Sequence, residues 1–280
     1  MPKLAAGGEP RGLSGRTPGP EAEGRTIGAL LEYALEHDGF EIYYQPLYTV
    51  RDGSFTEAEA LVRLKGPDGA LIPPDRFIPA AERTGRIAEI GRLVLERACG
   101  FLRDLLSRRA GIDAVSVNLS VAQLMEKGAV PRLLEIIRES GISPNRILFE
   151  ITESILIRNY AAVSEKIRRL HEAGVQFALD DFGTGYSNIA NVIDLPFDIV
   201  KIDKSLIWDS VKNRRCNRMI RDLTKTFHNI DLTVTAEGVE TEEHDRFVRQ
   251  CGCDKIQGFR YARPMPVGRA ADYFERTAGK

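Results

Sequence analysis

Short strand-like segments alternate with helical segments along most of this chain. Two such segments, 40–50 and 55–64, are joined by Arg51-Asp52-Gly53, which is a hairpin signal and predicts an antiparallel pair. Later segments are rich in β-branched residues and are separated by stretches with apolar residues at helical spacing. With about eight strands in repeated strand–helix units, the chain is predicted to form a closed α/β barrel. The later strands are 114–119, 146–151, 176–180, 198–202, 232–236 and 255–258, and the clearest helices are 86–106, 161–173 and 217–228.

The first residues differ in composition from the rest of the chain. Residues 1–25 are rich in Gly, Pro and charge and lack the apolar run of a signal peptide, which predicts a disordered tail or a linker. An amphipathic helix is predicted to begin at Thr26, and a Pro-rich connection is predicted through Pro73, Pro74 and Pro79. We therefore assign residues 26–280 to one domain, because a barrel of roughly 250 residues is a common single-domain size.

Composition excludes several classes of protein. The 39 basic and 40 acidic residues give a formal charge of -1, so no electrostatic footprint predicts binding to a nucleic acid polymer or direct contact with a membrane. No apolar run approaches the ~20 residues that a membrane span requires. The four cysteines lack metal or redox spacing and are predicted to be reduced structural thiols. We expect a cytoplasmic protein, or the cytosolic domain of a longer signalling protein.

Polar residues interrupt the predicted strands where a buried strand should be apolar. In a (β/α) barrel the carboxyl ends of the strands meet at one mouth, where active sites are assembled from several strands. The pattern therefore predicts one site built from distant parts of the sequence. The residues at or after the strand ends are Asn118, Glu150, Asp180, Asp181, Lys201, Glu237 and Gln257, and Glu59 lies within the second strand.

Bound cations best explain so many carboxylates at one mouth. Without metal, neighbouring carboxylates repel and raise one another's pKa. Because the candidate ligands offer oxygen and include no His or Cys, they favour Mg²⁺ or Mn²⁺ over Zn²⁺. The adjacent pair Asp180 and Asp181 could serve two ions, as two-metal phosphodiesterases require. Taken one at a time, these residues could equally be strand caps or surface charges.

Blocks of sequence around these positions resemble the EAL domain family, whose members cleave the bacterial second messenger cyclic di-GMP. A single Glu-Ala-Leu triplet is weak evidence because it is frequent in helices, but many blocks in the same order make a chance match very improbable. The resemblance runs from about Leu30 to Pro266. The blocks are YQP (44–46), AEALVR (58–63), FIPAAE (77–82), SVNLS (116–120), EITES (150–154), DDFGTGYS (180–187), KID (201–203), AEGVET (236–241), GCD (252–254) and QG (257–258).

The resemblance implies a modified TIM barrel whose first strand runs antiparallel to the others. It also implies hydrolysis of cyclic di-GMP to linear pGpG with two Mg²⁺ or Mn²⁺ ions. Lys201 would hold and activate the attacking water, with Glu237 and Gln257 completing the network around it. The first ion would be bound by Glu59, Asn118, Glu150 and Asp180, and the second by Asp180 with Asp181.

Other implied roles concern the substrate and a loop. By resemblance, Gln45, Leu61 and Arg63 contact cyclic di-GMP, with Arg63 at a phosphate. Glu153 would anchor the segment 182–188, whose two glycines suit a mobile loop over the metals, although an ordinary strand-to-helix turn is the alternative. Since members of the family commonly form dimers, we also expect a homodimer.

Two other functions compete with a cyclic di-GMP phosphodiesterase. The chain could be a catalytically silent module that binds cyclic di-GMP or a protein partner, but such modules usually lack a metal ligand and none is missing here. A barrel enzyme acting on another phosphodiester is the third possibility, because ligands alone do not determine substrate specificity.

Overall fold

The computed structural model describes residues 20–152, 160–184 and 189–278, except for the side chains of 20–26 and 189–191. Its strands form one continuous sheet. The strands in these ranges are β1 Phe40–Thr49, β2 Ser54–Lys65, β3 Leu71–Ile72, β4 Ala114–Asn118, β5 Ile147–Thr152, β6 Gln176–Phe182, β7 Ile199–Ile202, β8 Thr233–Ala236, β9 Lys255–Ile256 and β10 Met265–Pro266.

Eight of these strands close into a barrel. From β2 through β4 to β9, each strand pairs parallel with the next. Strand β1 closes the barrel by pairing antiparallel with β2 on one side and with β9 on the other. The short strands β3 and β10 add antiparallel pairs to β2 and β1. The prediction of a modified TIM barrel with an antiparallel first strand is therefore confirmed.

Helices surround the barrel and bury their apolar faces against it. The main buried core cluster contains side chains from both strands and helices, as a layered α/β architecture requires. The helices in the described ranges are α1 Pro20–Glu36, α2 Pro74–Thr84, α3 Ile87–Ser107, α4 Val121–Met125, α5 Ala129–Ser140, α6 Tyr160–Glu172, α7 Ile189–Asp194, α8 Lys204–Ser210, α9 Arg214–His228, α10 Glu242–Cys251 and α11 Val267–Thr277, with a 3₁₀ turn at Pro144–Arg146. None of them is both long enough and apolar enough to cross a membrane.

Two helix predictions from the sequence differ from the structure. The first helix begins at Pro20, before the predicted start at Thr26. The Pro-rich connection is wrong, since most of it forms helix α2. Proline suits the first helical position, where its missing N–H needs no partner, and Pro74 occupies that position. Phe77, Ala80 and Ala81 then bury one face of the helix, which offsets the hydrogen bond lost at Pro79.

Side-chain alternation along the strands divides the barrel interior into two layers. Residues two apart in a strand face the same side. In the lower layer Leu148, Ala178 and Ile199 form a buried apolar cluster of their own, and Glu57 of β2 forms an ion pair with Lys255 of β9. The residues two positions further along are Glu59, Glu150, Asp180, Lys201 and Gln257. A polar upper layer at the carboxyl ends of the strands therefore lies on a more apolar floor.

Candidate active site

Lys201 lies at the centre of the polar upper layer. Its side chain, only 2% exposed, extends from β7 into the barrel. The Nζ atom is 2.7 Å from Glu150 Oε2, 2.8 Å from Glu237 Oε1, 3.2 Å from Asp180 Oδ1 and 3.7 Å from Glu59 Oε2. Four carboxylates from four strands or strand ends therefore face one ammonium group.

A second network, of amide side chains, holds the Glu59 carboxylate by hydrogen bonds. Asn118 Nδ2 donates to Glu59 Oε1 at 2.9 Å, and Gln257 Nε2 donates to Glu59 Oε2 at 2.6 Å. The same Gln257 nitrogen lies 3.1 Å from Gln45 Oε1, and Gln45 Nε2 donates to the Ala262 carbonyl. Each oxygen of Glu59 thus has a fixed donor, which sets the orientation of the carboxylate.

A bulge brings two consecutive aspartates to the site. The pairing of β6 with β7 changes register between Leu179 and Phe182, and Asp181 has a φ of 56°. A regular strand would point Asp180 and Asp181 to opposite faces, whereas a bulge re-aims one of them. One carboxylate oxygen each of Asp180, Asp181 and Glu237 lie within 4.8 Å of one another. The structure therefore adds Glu237 to the acidic cluster that the sequence predicted as metal ligands.

Burial and mutual repulsion disfavour the charged form of several of these acids. Burial, with the charges of Glu59 and Asp180, raises the pKa of Glu150 well above its usual range despite the nearby Lys201. Burial raises the pKa of Glu237 to about 8, with Lys201 opposing the shift. Burial and the charge of Asp180 raise the pKa of Asp181 to about 6. Without a further cation, the cluster is short of positive charge.

Two groups in the cluster keep their charge. Burial opposes ionisation of Glu59, but the charge of Lys201 and the hydrogen bonds from Gln257 and Asn118 outweigh burial and lower the pKa of Glu59. Burial likewise disfavours the ammonium form of Lys201, and the charges of the surrounding carboxylates, Asp180 first, outweigh that effect and raise its pKa well above the usual range.

Unsatisfied oxygens at the same place fit a divalent cation. Glu150 Oε1 is buried and has no hydrogen-bond partner among the residues that the structure describes. Asp180 Oδ1 has the ion-pair contact with Lys201 but no contact there with hydrogen-bond geometry. Buried polar atoms normally have partners. Together with an all-oxygen donor set, these atoms fit a hard cation such as Mg²⁺ or Mn²⁺.

Two cavities open on the two sides of Glu59. One, of about 340 Å³, contains Glu59, Asn118 and Glu150 in its wall and extends towards α2 and α3. The other, of about 280 Å³, contains Glu59, Glu237 and Gln257. Leu61 lines both cavities. Glu59, Glu150 and Glu237 of the acidic cluster thus border one or both of these spaces, and each space is large enough to hold part of an elongated ligand.

The three residues assigned to the substrate by resemblance have different positions. Gln45 and Leu61 line the second cavity. Arg63 is not among the residues of either cavity. Its Nη1 donates to the Val62 carbonyl at 2.9 Å, and its guanidinium carbon lies 5.6 Å from the centre of the Tyr43 ring.

The predicted loop is only partly within the described residues. Phe182 ends β6 and is buried, and Thr184 closes a turn by donating its N–H to the Asp181 carbonyl at 3.2 Å. Glu153 and residues 185–188 lie outside the described residues. The roles of Glu153 and of the loop therefore stay predictions.

Two residues near the site were missed by the sequence analysis. Asp203 is buried and accepts from the Ser205 N–H at the start of α8, and its charge contributes to the raised pKa of Asp181. Trp208, on the same helix, lines the second cavity. Asp203 was part of the KID block, and Trp208 is the only tryptophan in the chain, but neither fact by itself places a side chain at the barrel mouth.

Comparison with known proteins identifies similar sequences. The family model described as "EAL domain" matches residues 29–264. A cyclic di-GMP phosphodiesterase, NbdA, from Pseudomonas aeruginosa is 35% identical over 245 residues, which are 87% of this chain and 31% of NbdA. An uncharacterised signalling protein from Caulobacter vibrioides is 39% identical over 246 residues, 88% of this chain and 30% of that protein. The chain thus spans about a third of the length of these relatives.

A solved structure has a similar fold. The structure entitled "PaMucR Phosphodiesterase, c-di-GMP complex" superposes with a TM-score of 0.82 at 33% sequence identity. The match covers 88% of this chain and 99% of that one. The barrel described above is therefore shared along nearly its whole length with a protein whose structure was solved with a cyclic dinucleotide.

Proposed function

This chain belongs to the EAL domain family, and from that membership we propose that it is a metal-dependent phosphodiesterase that hydrolyses cyclic di-GMP to linear pGpG. The observation that carries the proposal is the set of carboxylates from separate strands around Lys201 at the barrel mouth. Relatives named as cyclic di-GMP phosphodiesterases support the choice of substrate.

The metal ligands are proposed as two overlapping sets. Glu59, Asn118, Glu150 and Asp180 hold one ion, and Asp180 with Asp181 holds the second. The orphaned oxygens of Glu150 and Asp180 support this assignment. The proximity of Glu237 to both aspartates supports its position beside the second ion. At these residues, divalent ions would supply a lowered pKa for the attacking water and positive charge opposite the phosphoryl group.

Lys201 is proposed to orient the attacking water. Its three ammonium hydrogens are shared among nearby carboxylates, of which Glu150 and Glu237 are within 2.8 Å. The water oxygen adds to one phosphorus atom, the bond from that phosphorus to the ribose 3′ oxygen breaks, and one proton of the water is transferred to that 3′ oxygen. The ring thus opens to a linear dinucleotide with a 5′ phosphate and a 3′ hydroxyl. Glu237 fixes the ammonium group, and Gln257 keeps Glu59 in its metal-facing orientation.

The shape of the site supports a substrate with two similar halves. The two cavities of about 340 and 280 Å³ flank the carboxylates and share Glu59 and Leu61. A cyclic dinucleotide can place one phosphate at the metals and one nucleoside on each side. We keep Gln45 and Leu61 as contacts of the substrate. Arg63 lies outside both cavities and donates through Nη1 to the Val62 carbonyl, so its contact with a phosphate stays a prediction.

Product analysis tests this function. Purified protein with Mg²⁺ or Mn²⁺ is expected to convert cyclic di-GMP to pGpG, followed by chromatography, and Glu59→Gln is expected to lose the activity. The matched control is Glu57→Gln, which makes the same change two residues earlier on the same face, in the lower layer of the barrel. Equal loss in both variants would mean that the effect is structural and not specific to the proposed ligand.

Other outcomes identify the competing functions. If calorimetry shows tight binding of cyclic di-GMP but no pGpG forms with either Mg²⁺ or Mn²⁺, the chain is a catalytically silent receptor. Faster cleavage of linear dinucleotides or cyclic mononucleotides than of cyclic di-GMP would point to another phosphodiesterase. Either result overturns the proposal.

The bounds of the domain, its location and its oligomeric state are also proposed. We propose that residues 26–280 form the phosphodiesterase domain, that it acts in the cytosol and that it forms a homodimer. The relatives are about three times longer than the matched region, which supports a place within a longer signalling protein. Sedimentation of the purified chain with and without cyclic di-GMP measures the oligomeric state.

A further inference from the structure

The only tryptophan of the chain stands at the rim of the second cavity. Trp208 is 38% exposed, although indole rings are usually well buried in a protein of this size. The other side chains of this cavity include Glu59, Glu237 and Gln257. A large half-exposed aromatic ring therefore lies beside the proposed reaction centre and has no evident role in the core.

The indole is held firmly in place. Its Nε1 donates to the carbonyl of Gly238 at 2.7 Å. Gly238 directly follows Glu237 in the chain. Gly238 has a φ of 64°, and a Cβ at this position would lie 2.2 Å from the Cβ of Lys204. The polypeptide after β8 thus packs tightly against α8. Because this hydrogen bond already orders the indole, contact of a ligand with the ring costs little conformational entropy.

A second aromatic ring on the same rim is less available. The Arg263 guanidinium lies 4.1 Å from the centre of the Phe259 ring. The guanidinium therefore covers one face of the phenyl ring. Over Trp208, the Nζ of the exposed Lys204 lies 5.9 Å from the ring centre, at the outer limit of a cation–π contact. Of the two rings, Trp208 is therefore the better platform for a flat ligand.

We propose that Trp208 stacks against one guanine base of the cyclic dinucleotide and so contributes to substrate binding. The proposal rests on the proposed function, because the base is supplied by that substrate. Flat aromatic side chains bind bases through their π-faces with little dependence on sequence. The base would enter the cavity of about 280 Å³ while the phosphate reaches Glu59 and Glu237. Trp208 then acts in binding and takes no part in the proton transfers.

Two substitutions separate stacking from the hydrogen bond to Gly238. Trp208→Phe keeps an aromatic face but loses the indole N–H, and Trp208→Ala loses both. Stacking predicts a Kd for cyclic di-GMP that rises roughly 5- to 150-fold in Trp208→Ala, the loss typical of one base on one aromatic ring. Trp208→Phe should stay within roughly threefold of the wild-type Kd. Calorimetric titration measures both, and thermal melting confirms that each variant is folded.

Kinetics supply an independent readout. Because the contact forms before the reaction, Trp208→Ala should raise KM with a nearly unchanged kcat. A fall in kcat shared by the Phe and Ala variants, with unchanged Kd, would instead mean that the indole N–H positions Glu237, and would overturn the proposal. Equal Kd values for Trp208→Ala and wild type would overturn it as well.

The intrinsic fluorescence of Trp208 provides a direct test of stacking. Stacking of guanine quenches indole emission, so titration of the wild-type protein with pGpG or cyclic di-GMP is expected to quench Trp208 fluorescence saturably, with the calorimetric Kd. Binding without quenching would contradict the proposal. If the protein binds cyclic di-GMP with quenching but does not hydrolyse it, the proposed catalytic function fails while the stacking role stands.

Discussion

Replacing Lys201 by methionine removes the cation at the centre of the acidic cluster. The side chain is almost fully buried, and its Nζ has three carboxylate oxygens within 3.2 Å. Deleting one partner of a buried ion pair costs about 3–5 kcal/mol, because the other charge remains buried without compensation. Since methionine preserves most of the apolar volume, we expect Lys201→Met to lower the free energy of unfolding of the metal-free protein by that amount.

Two conditions should reduce this cost. Divalent cations should bind the carboxylates of both proteins, and more tightly those of the variant, which has lost the competing ammonium group; a ligand at a hundred times its Kd stabilises a folded protein by about 2.7 kcal/mol. Acid should act in the same direction. A carboxyl whose folded pKa is raised costs stability that grows as the pH rises from the unfolded pKa and is complete above the folded pKa, so acid reduces this cost. Burial raises the pKa of Glu237 to about 8 while Lys201 opposes the shift, and loss of Lys201 should raise that pKa further. The difference in stability between variant and wild type should therefore be largest at high pH and should narrow as the pH falls towards 8.

Urea unfolding followed by circular dichroism measures these effects, in EDTA and in excess Mn²⁺, at pH values above and below 8. Lys255→Met is the control, because it breaks the ion pair with Glu57 in the lower layer of the same barrel. Its cost should be the same with and without Mn²⁺. Equal stability of Lys201→Met and wild type in EDTA, or equal stabilisation of both lysine variants by Mn²⁺, would contradict this expectation.

Three further predictions address a metal ligand, a side-chain hydrogen bond to strand β8 and the buried thiols. Asn118→Ala should raise the Mg²⁺ concentration needed for half-maximal activity by roughly tenfold or more, because metal sites depend this strongly on their oriented groups; an unchanged requirement would remove Asn118 from the ligand set. Asp254→Ala leaves the Val234 N–H without its acceptor at 2.8 Å, so urea unfolding should show a loss of about 1–3 kcal/mol while activity per folded molecule is retained. Burial raises the pKa of Cys251 to about 11 and of Cys253 to about 12, so neither thiol should react with a disulfide reagent at neutral pH before unfolding, and rapid labelling of the native protein would contradict their burial.

Much of the site was predictable because strand periodicity is local. In β5, β6 and β7, an apolar inward residue is followed two positions later by Glu150, Asp180 or Lys201. Since parallel strands begin and end together around a barrel, polar residues at equivalent strand ends must meet at one mouth. The strand ends and the barrel could be predicted from this regularity, because the pattern is local and is read without knowledge of distant contacts.

The remainder depends on contacts that the local pattern does not contain. The bulge at Asp180 and Asp181 requires pairing of β6 with β7 out of register, and an aspartate at positive φ carries no clear signal in the sequence. Helix α2 was missed because prolines predict a break, although Phe77, Ala80 and Ala81 had helical spacing. The position of Trp208 depends on the packing of a seven-residue helix against the Gly238 turn.

Anomalous diffraction from crystals grown with Mn²⁺ and pGpG tests the central claim most directly, because it locates the ions independently of activity. Two anomalous peaks are expected at the barrel mouth, about 3.5 to 4 Å apart. One should be coordinated by Glu59, Asn118, Glu150 and Asp180, and the other by Asp180 and Asp181. A map with no peak at these side chains, while the Lys201 ammonium keeps all its carboxylate contacts, would contradict a metal-dependent phosphodiesterase.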